Sequence, residues 1–111
     1  DIYDPPRPAD VFVALHNNLD VEIQGYFILA LFDSEESLIS TIDYEYAHID
    51  ANEDADLLYE MQDYSPLENE DNSLKIMYSK YFSSMPSTYD TLNLEPIGIR
   101  NLTKSYEDLP D

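Results

Sequence analysis

Carboxylates are the side chains whose number and spacing in this sequence are best suited to chemistry. Residues 8–74 include no lysine and no arginine, yet they include seventeen Asp and Glu residues, fourteen of which lie between Asp33 and Asp71. Like charges repel one another in a compact chain, so this one-sided distribution lowers stability unless a positive partner binds to it. We therefore interpret the stretch as a negatively charged surface for a positively charged partner.

Metal binding is a second use of clustered carboxylates. The acidic positions that begin at Asp50 have the spacing of the first half of an EF-hand calcium loop. The sixth position of that loop is Ala55 instead of glycine, and the twelfth is Met61 instead of glutamate, so the sharp turn and the bidentate ligand are both missing. His16 and His48 do not have the spacing of a zinc site. We predict no metal site and no cofactor.

Catalysis is a third use of carboxylates. With twenty-four Asp and Glu residues, some pair will lie at the separation used by glycosidases by chance alone. The sequence has only two glycines, which disfavours a glycine-rich phosphate loop, and it shows no P-loop and no Ser-His-Asp arrangement. We expect that the protein is not an enzyme and that it has no catalytic residues.

Composition sets the class of protein. The 111 residues suit one domain, and the hydrophobic content of 43% is too high for a disordered acidic tail. The net charge of −19 predicts that the protein avoids nucleic acid and anionic membranes and is attracted to basic surfaces. Cysteine is absent, no apolar run is long enough to span a membrane, and the first residues do not resemble a signal peptide. We therefore expect a cytoplasmic location in the host cell.

Hydrophobic periodicity predicts a small α+β fold, in which an antiparallel or mixed sheet of three to four strands packs with about two helices. The expected elements are strands at residues 10–16, 21–32 and 57–64, helices at residues 34–46 and 73–84, and one or two short strands within residues 92–102. Prolines make residues 1–9 an extended lead-in, residues 10–100 form the single domain, and residues 101–111 form an acidic tail.

Three local patterns support these assignments. Asp33 or Ser34 suits a helix N-cap, and apolar residues recur after it at helical spacing. Residues 26–32 are apolar at successive positions, which predicts a strand that is covered on both faces or lies in the centre of its sheet. Gly25 indicates a bulge or a close approach of backbone.

The spacing of the carboxylates links this fold to a function. Positions three or four apart on a helix lie about 5–6 Å from each other, and alternate strand positions lie about 6.6–6.8 Å apart. Both separations are comparable with those of phosphates along a DNA strand, so an acidic surface can occupy the basic groove of a DNA-binding protein. The predicted phosphate mimics are Asp33, Glu35, Glu36, Asp43, Glu45, Asp50, Glu53, Asp54, Asp56, Glu68, Glu70 and Asp71. The candidate aromatic anchors are Tyr44, Tyr46 and Tyr64, because tyrosine is enriched at binding hot spots.

Four motifs, VFVALHNN, GYFILALF, SEESLISTI and LYEMQDYSP, follow one another in the chain. Their order resembles the N-terminal region of ArdA-type antirestriction proteins, a family of acidic DNA mimics from phages and mobile elements. Asn17–Asn18, Gly25–Tyr26 and Asp63–Tyr64 take the places of the family's asparagine turn, Gly-aromatic strand and Asp-Tyr dipeptide. The chain is shorter than a typical three-domain member, and Ser65–Pro66 replaces the usual acidic residue. The resemblance implies evasion of host defence by blocking a DNA-handling enzyme.

Two other functions account for the same acidity. An acidic interaction module would bind a basic partner protein, such as a histone-like protein or a toxin, without imitating DNA. A halophilic protein would be acidic over its whole surface, whereas here the acids are concentrated and the bases lie towards the ends of the chain. We expect an inhibitor of a restriction–modification complex or CRISPR effector, whose partner is a basic DNA-binding protein or nuclease complex. The sequence does not indicate an oligomeric state.

Overall fold

The structure is a computed structural model that describes residues 6–80 and 99–107. Its elements are the strands β1 (Ala9–Asn17), β2 (Ile23–Phe32), β3 (Leu38–Ile49), β4 (Asp54–Met61), β5 (Ser73–Ser79) and β6 (Ile99–Glu107), with a 3-10 helix at Ser65–Glu68. They form two three-stranded antiparallel sheets with the strand orders β4-β1-β6 and β3-β2-β5. One hydrophobic cluster contains residues of both sheets, so the fold is a β-sandwich.

The core lies between the sheets because the facing strands bury alternate residues. Val11, Val13 and Leu15 of β1 are buried there together with Tyr59 of β4 and Phe27 of β2. The residues between them on β1 are only partly buried, which is the two-residue period of a strand with one covered face. The predicted first strand is confirmed.

β2 is buried on both of its faces. Phe27, Leu29 and Leu31 belong to the cluster between the sheets, whereas Ile28 and Phe32 belong to a second buried cluster. Successive side chains of a strand point to opposite faces, so the two clusters lie on opposite sides of the sheet. β2 also lies between β3 and β5. The prediction of a central strand covered on both faces is confirmed.

The predicted α+β fold is wrong, because the described residues form a mostly β structure without an α-helix. The first predicted helix, residues 34–46, is a turn followed by β3. Oδ1 of Asp33 accepts hydrogen bonds from the backbone amides of Glu35 and Ser37, both at 2.9 Å, and closes this turn. Short polar side chains form the same bonds in turns and in helix caps, so the apparent cap signal was ambiguous.

The helical spacing within residues 34–46 has its origin in the irregularity of β3. Two register shifts interrupt the pairing of β3 with β2, between Leu29 and Ala30 and between Leu31 and Phe32. Such bulges break the two-residue alternation by which a strand is recognised. The β-branched and tyrosine residues of the segment favour a strand, and here this preference prevails.

The second predicted helix, residues 73–84, is also wrong over the residues that the structure describes. Residues 73–79 form β5, in which Leu74 and Ile76 are buried between the sheets and Met77 lies in the second cluster. A strand covered on both faces carries apolar residues at successive positions, which imitate helical spacing in a short segment. Residues 81–84 lie outside the described ranges.

The other predicted strands differ from the structure in their boundaries. β4 spans Asp54–Met61 instead of residues 57–64. β6 pairs with β1, overlaps the predicted strand region at residues 99–102, and continues to Glu107 within the segment that was predicted as an acidic tail. The predicted strand residues 92–98 and most of the lead-in fall outside the described residues.

Gly25 is a position of close approach, as predicted. A Cβ atom there would lie 2.7 Å from Cε1 of Tyr78 and 2.9 Å from the carbonyl oxygen of Ser79. The hydroxyl of Tyr78 donates a hydrogen bond to the carbonyl oxygen of Gln24 at 2.7 Å, which holds the ring against the glycine. Any larger residue at position 25 would displace this ring or the backbone of β5.

Asn17 connects the loops at one end of the sandwich. Its side-chain amide donates hydrogen bonds to the carbonyl oxygens of Val21 (2.8 Å), Ile49 (3.1 Å) and Asp50 (3.2 Å). Its side-chain oxygen accepts a hydrogen bond from the backbone amide of Leu19 at 2.9 Å. The residue is fully buried, so it positions the β1–β2 loop against the β3–β4 loop.

We expect that Asn17→Ala lowers the free energy of unfolding by about 2–3 kcal/mol, because the buried carbonyl of Ile49 and three partly buried backbone groups would lose their partners. Urea denaturation measures the change. Gln62→Ala is the control, since Gln62 is exposed and its replacement should change stability by less than about 0.5 kcal/mol. Equal effects of the two substitutions would contradict a connecting role for Asn17.

Candidate acidic partner-binding surface

The structure separates the twelve predicted carboxylates into two groups. The hairpin-end group lies on the β2–β3 turn and on residues 65–72, and it consists of Asp33, Glu35, Glu36, Glu68, Glu70 and Asp71. The two segments meet because the end of β2 pairs with the start of β5. The β3–β4 group lies on those strands and the turn between them, and it consists of Asp43, Glu45, Asp50, Glu53, Asp54 and Asp56. The twelve carboxylates therefore do not form one continuous row.

Two basic side chains partly neutralise the hairpin-end group. Nζ of Lys75 donates a hydrogen bond to Glu36 at 2.5 Å, and this bond holds the pKa of Glu36 below its usual value, with the positive charge of Lys75 contributing further. Arg7 forms an ion pair with Glu68. These contacts reduce the negative charge that this end of the molecule presents to a partner.

Asp63, next to the hairpin-end group, has a local structural role. Its carboxylate accepts hydrogen bonds from the backbone amide (3.0 Å) and the hydroxyl (3.0 Å) of Ser65, and from the backbone amide of Arg7 (3.3 Å). The bond from the Ser65 amide is the largest cause of the lowered pKa of Asp63, followed by the bond from the Arg7 amide. Asp63 therefore fixes the start of the 3-10 helix.

The exposed face of β4 carries a row of carboxylates. Asp54, Asp56 and Glu60 are exposed, whereas Leu57 and Tyr59 point into the core. Alternate strand residues are separated by about 6.6–6.8 Å, so Asp54 and Asp56 have this spacing and Glu60 follows two repeats later. Glu60 was absent from the predicted set, although the two-residue period of the strand indicates its position.

Further charges adjoin this row on β1. Asp10 lies directly opposite Glu60 in the register of β1 and β4, so two like charges face one another across the sheet. His16 lies opposite Asp54, with Nδ1 at 2.6 Å from the carboxylate. Asp10 was also missed, because the pairing of β1 with β4 is a long-range contact that the local sequence does not encode.

Asp43 and Glu45 face the interior side of β3, in contrast to the row on β4. They lie opposite Leu29 and Phe27, which belong to the core. Oδ2 of Asp43 accepts a hydrogen bond from the backbone amide of Glu60 at 2.9 Å, and β4 is the edge strand of its sheet. Asp43 therefore binds the backbone amide of Glu60 at the sheet edge, so this amide is not available to pair with a strand of another chain.

Partial burial and the nearby charge of Asp43 raise the pKa of Glu45, and burial is the larger cause. Burial also raises the pKa of Tyr59, and the charges of Glu45 and Asp43 add to it. The hydroxyl of Tyr59 donates a hydrogen bond to the carbonyl oxygen of Phe27 at 2.9 Å. Tyr59 thus remains a neutral donor between the sheets, and the surroundings of Glu45 disfavour its ionised form.

The candidate aromatic anchors have different environments. Tyr44 and Tyr46 are exposed on the outer face of β3. Tyr64 is only 4% exposed, and the guanidinium carbon of Arg7 lies 5.0 Å from the centroid of its ring. The ring of Tyr64, the third predicted anchor, therefore belongs to the core and is covered by Arg7.

One cluster in the part of the chain that the structure describes offers three potential metal ligands. The ligand atoms of Glu22, His48 and Asp50 all lie within 4.8 Å of one another. Nε2 of His48 is 2.5 Å from Glu22 and 3.4 Å from Asp50, so hydrogen bonding to the imidazole accounts for the arrangement. All three side chains are exposed, and we assign no metal to them.

We expect that Glu45→Gln increases the free energy of unfolding at pH 7. A carboxyl whose pKa is raised by folding binds its proton more tightly in the folded state, so its ionisation lowers stability as the pH rises. Denaturation at pH 7 should therefore show a gain for Glu45→Gln, and the gain should disappear below the unfolded pKa of about 4.3. Glu53→Gln, on the exposed turn, removes the same charge and is the control; an equal gain from it would contradict the role of burial.

Comparison with protein-family models, with curated proteins and with solved structures finds no match to this chain. The likeness to ArdA-type proteins stays a prediction, and the short helix that it implied at SEESLISTI is a turn and a strand. Within residues 6–80 and 99–107, no helix has the length and the apolar character needed to cross a membrane.

Proposed function

We propose that this protein is a non-catalytic inhibitor that imitates the charge of DNA and occupies the DNA-binding groove of a host-defence enzyme. The observation that carries the proposal is the row of Asp54, Asp56 and Glu60 on the exposed face of β4, with Asp10 beside it. Asp54 and Asp56 lie one strand repeat of about 6.6–6.8 Å apart, which is comparable with the separation of phosphates, and Glu60 lies two repeats beyond Asp56 with the exposed Leu58 between them. The enzyme would be a restriction–modification complex or a CRISPR effector in the cytoplasm of the host cell.

The arrangement of charge along β3 and β4 supports a binding role. Residues 8–74 contain no Lys or Arg, while His16 contacts Asp54 and His48 lies 3.4 Å from Asp50. Asp10 and Glu60 face each other, and like charges in cross-strand pairs are destabilising. Surfaces that lower stability in the isolated protein are often kept for function. A cationic groove would relieve this repulsion when it binds.

A surface whose charge is shared among several carboxylates should bind in a salt-dependent way. Long-range attraction speeds the encounter with a positive groove, and dissolved salt screens it. Each exposed charge contributes about 0.2–1 kcal/mol, so no single carboxylate should dominate. An acidic module that binds a basic partner without imitating DNA would share the salt dependence, but it would not compete with DNA.

Neutralising four carboxylates of the β4 region tests the proposal. DNA cleavage by a type I restriction–modification complex, and separately by a CRISPR effector nuclease, is measured while the protein is added. We expect competitive inhibition in which more DNA requires proportionately more protein. The combined change of Glu53, Asp54, Asp56 and Glu60 to their amides should weaken inhibition by about tenfold or more, and each single change by less than about fivefold.

The matched control neutralises Glu35, Glu36, Glu70 and Asp71 of the hairpin-end group, which alters the net charge by the same amount. An equal loss of inhibition in this control would show that total charge, and not the β4 row, is responsible. If the protein inhibits neither enzyme, or inhibits without competing with DNA, the proposal is wrong and an acidic interaction module is favoured. One single neutralisation that abolishes inhibition in a folded variant would contradict the distributed-charge surface.

A further inference from the structure

Tyr26, Tyr44 and Tyr46 form a cluster on the outer side of β2 and β3, which we name the tyrosine face. Tyr26 lies opposite Tyr46, with ring centroids 5.2 Å apart and an interplanar angle of 67°. The Tyr44 ring lies 6.0 Å from that of Tyr26 at an angle of 61°. Tyr44 is 40% exposed and Tyr46 is 56% exposed. Edge-to-face contacts therefore hold three rings in one patch, in which Tyr26 is partly buried and Tyr44 and Tyr46 are exposed to solvent.

Carboxylates lie at one end of the tyrosine face. His48 follows Tyr46 on the same face of β3 and lies opposite Gln24. The carboxylates of Glu22 and Asp50 lie 2.5 and 3.4 Å from Nε2 of His48. The face thus combines aromatic rings with hydrogen-bond acceptors of negative charge. A second copy of this chain and a nucleic acid are both negatively charged, so the carboxylates of this face would repel either of them.

We propose that the tyrosine face binds arginine side chains of the basic partner. This inference rests on the proposed function in one respect, which is that the partner is positively charged. A guanidinium is planar, stacks on aromatic rings and is more weakly hydrated than an ammonium. The face of an aromatic ring attracts a cation that lies within about 6 Å of its centroid. The rings would stack on the guanidinium, while Glu22 and Asp50 accept its hydrogen bonds.

The protein contains the same combination of groups within its own fold. The guanidinium carbon of Arg7 lies 5.0 Å from the centroid of the Tyr64 ring, and Arg7 also forms an ion pair with Glu68. An arginine is therefore held between a tyrosine ring and a carboxylate. The tyrosine face presents these two chemical groups to solvent, where a partner supplies the arginine.

Binding of two synthetic peptides tests the inference without an enzyme or DNA. One peptide alternates arginine with glycine, and the other replaces each arginine with lysine at the same length and charge. Isothermal titration calorimetry at fixed salt gives the Kd of each. We expect tighter binding of the arginine peptide. Tyr44→Leu with Tyr46→Leu keeps apolar bulk but removes the rings, and it should weaken arginine-peptide binding about 5- to 30-fold, equivalent to about 1–2 kcal/mol for two contacts.

Tyr44→Phe with Tyr46→Phe is the matched control, because it keeps the rings and removes only the hydroxyls. We expect its Kd to stay within about twofold of the wild type, as a cation also binds over phenylalanine. Circular dichroism and thermal unfolding verify that both variants fold. The inference is overturned if the leucine variant binds as tightly as the wild type, or if the phenylalanine variant loses as much affinity as the leucine variant.

Two further outcomes separate this inference from the proposed function. If the protein does not compete with DNA, but prefers the arginine peptide and loses affinity in the leucine variant, the arginine-binding role of the tyrosine face is supported and the DNA-mimic proposal is wrong. If sedimentation shows a dimer that the leucine variant cannot form, a second copy occupies the face and the inference falls. The variant with amides at positions 53, 54, 56 and 60 should bind both peptides more weakly but keep the preference for arginine.

Discussion

Burial of apolar side chains between the two sheets is the interaction on which this structure depends, because it has to outweigh the repulsion within a chain of net charge −19. β2 contributes most to it, since both of its faces are covered. Among the described residues, Asn17 is the only buried polar residue, and its side chain forms hydrogen bonds through both its amide nitrogen and its oxygen. The carboxylates of residues 6–80 are consequently confined to turns, exposed strand faces and sheet edges, where a partner can reach them.

Sheet edges add a second constraint. β3 and β4 are edge strands of different sheets, and an uncovered edge invites pairing with another chain. Asp43 accepts a hydrogen bond from the backbone amide of Glu60 at the β4 edge, and Glu45 lies partly buried opposite the core residue Phe27. Both carboxylates make edge pairing unfavourable, because an incoming strand would meet negative charge and displace an existing hydrogen bond. Asp43 and Glu45 therefore oppose strand pairing between molecules, in addition to any part that the acidic residues have in binding a partner.

The sequence predicted those features that depend on local pattern and failed where long-range contacts decide. The alternation in β1, the apolar run of β2 and the close approach at Gly25 were correct, since neighbouring residues carry those signals. Both helices were wrong, because an Asp33 turn imitates a cap and two-sided burial in β5 imitates helical spacing. The acidic block was recognised, but Asp10 was missed because its place beside the row depends on the pairing of β1 with β4, whereas the local alternation of β4 indicates Glu60.

Because residues 38–49 form a strand and not a helix, their carboxylates and tyrosines point to different sides. On a helix, the sequence from Asp43 to Tyr46 would distribute carboxylates and rings around the axis, and each partner contact would involve both. On β3, the two-residue period sorts Asp43 and Glu45 to the interior side and Tyr44 and Tyr46 to the outer side. Between Asp43 and Tyr46, carboxylates and rings therefore lie on opposite sides of β3, and the carboxylates beside the tyrosine face are those of Glu22 and Asp50. A partner that engages both the β4 row and the tyrosine face has to reach around the edge of the sandwich, which favours a groove over a flat surface.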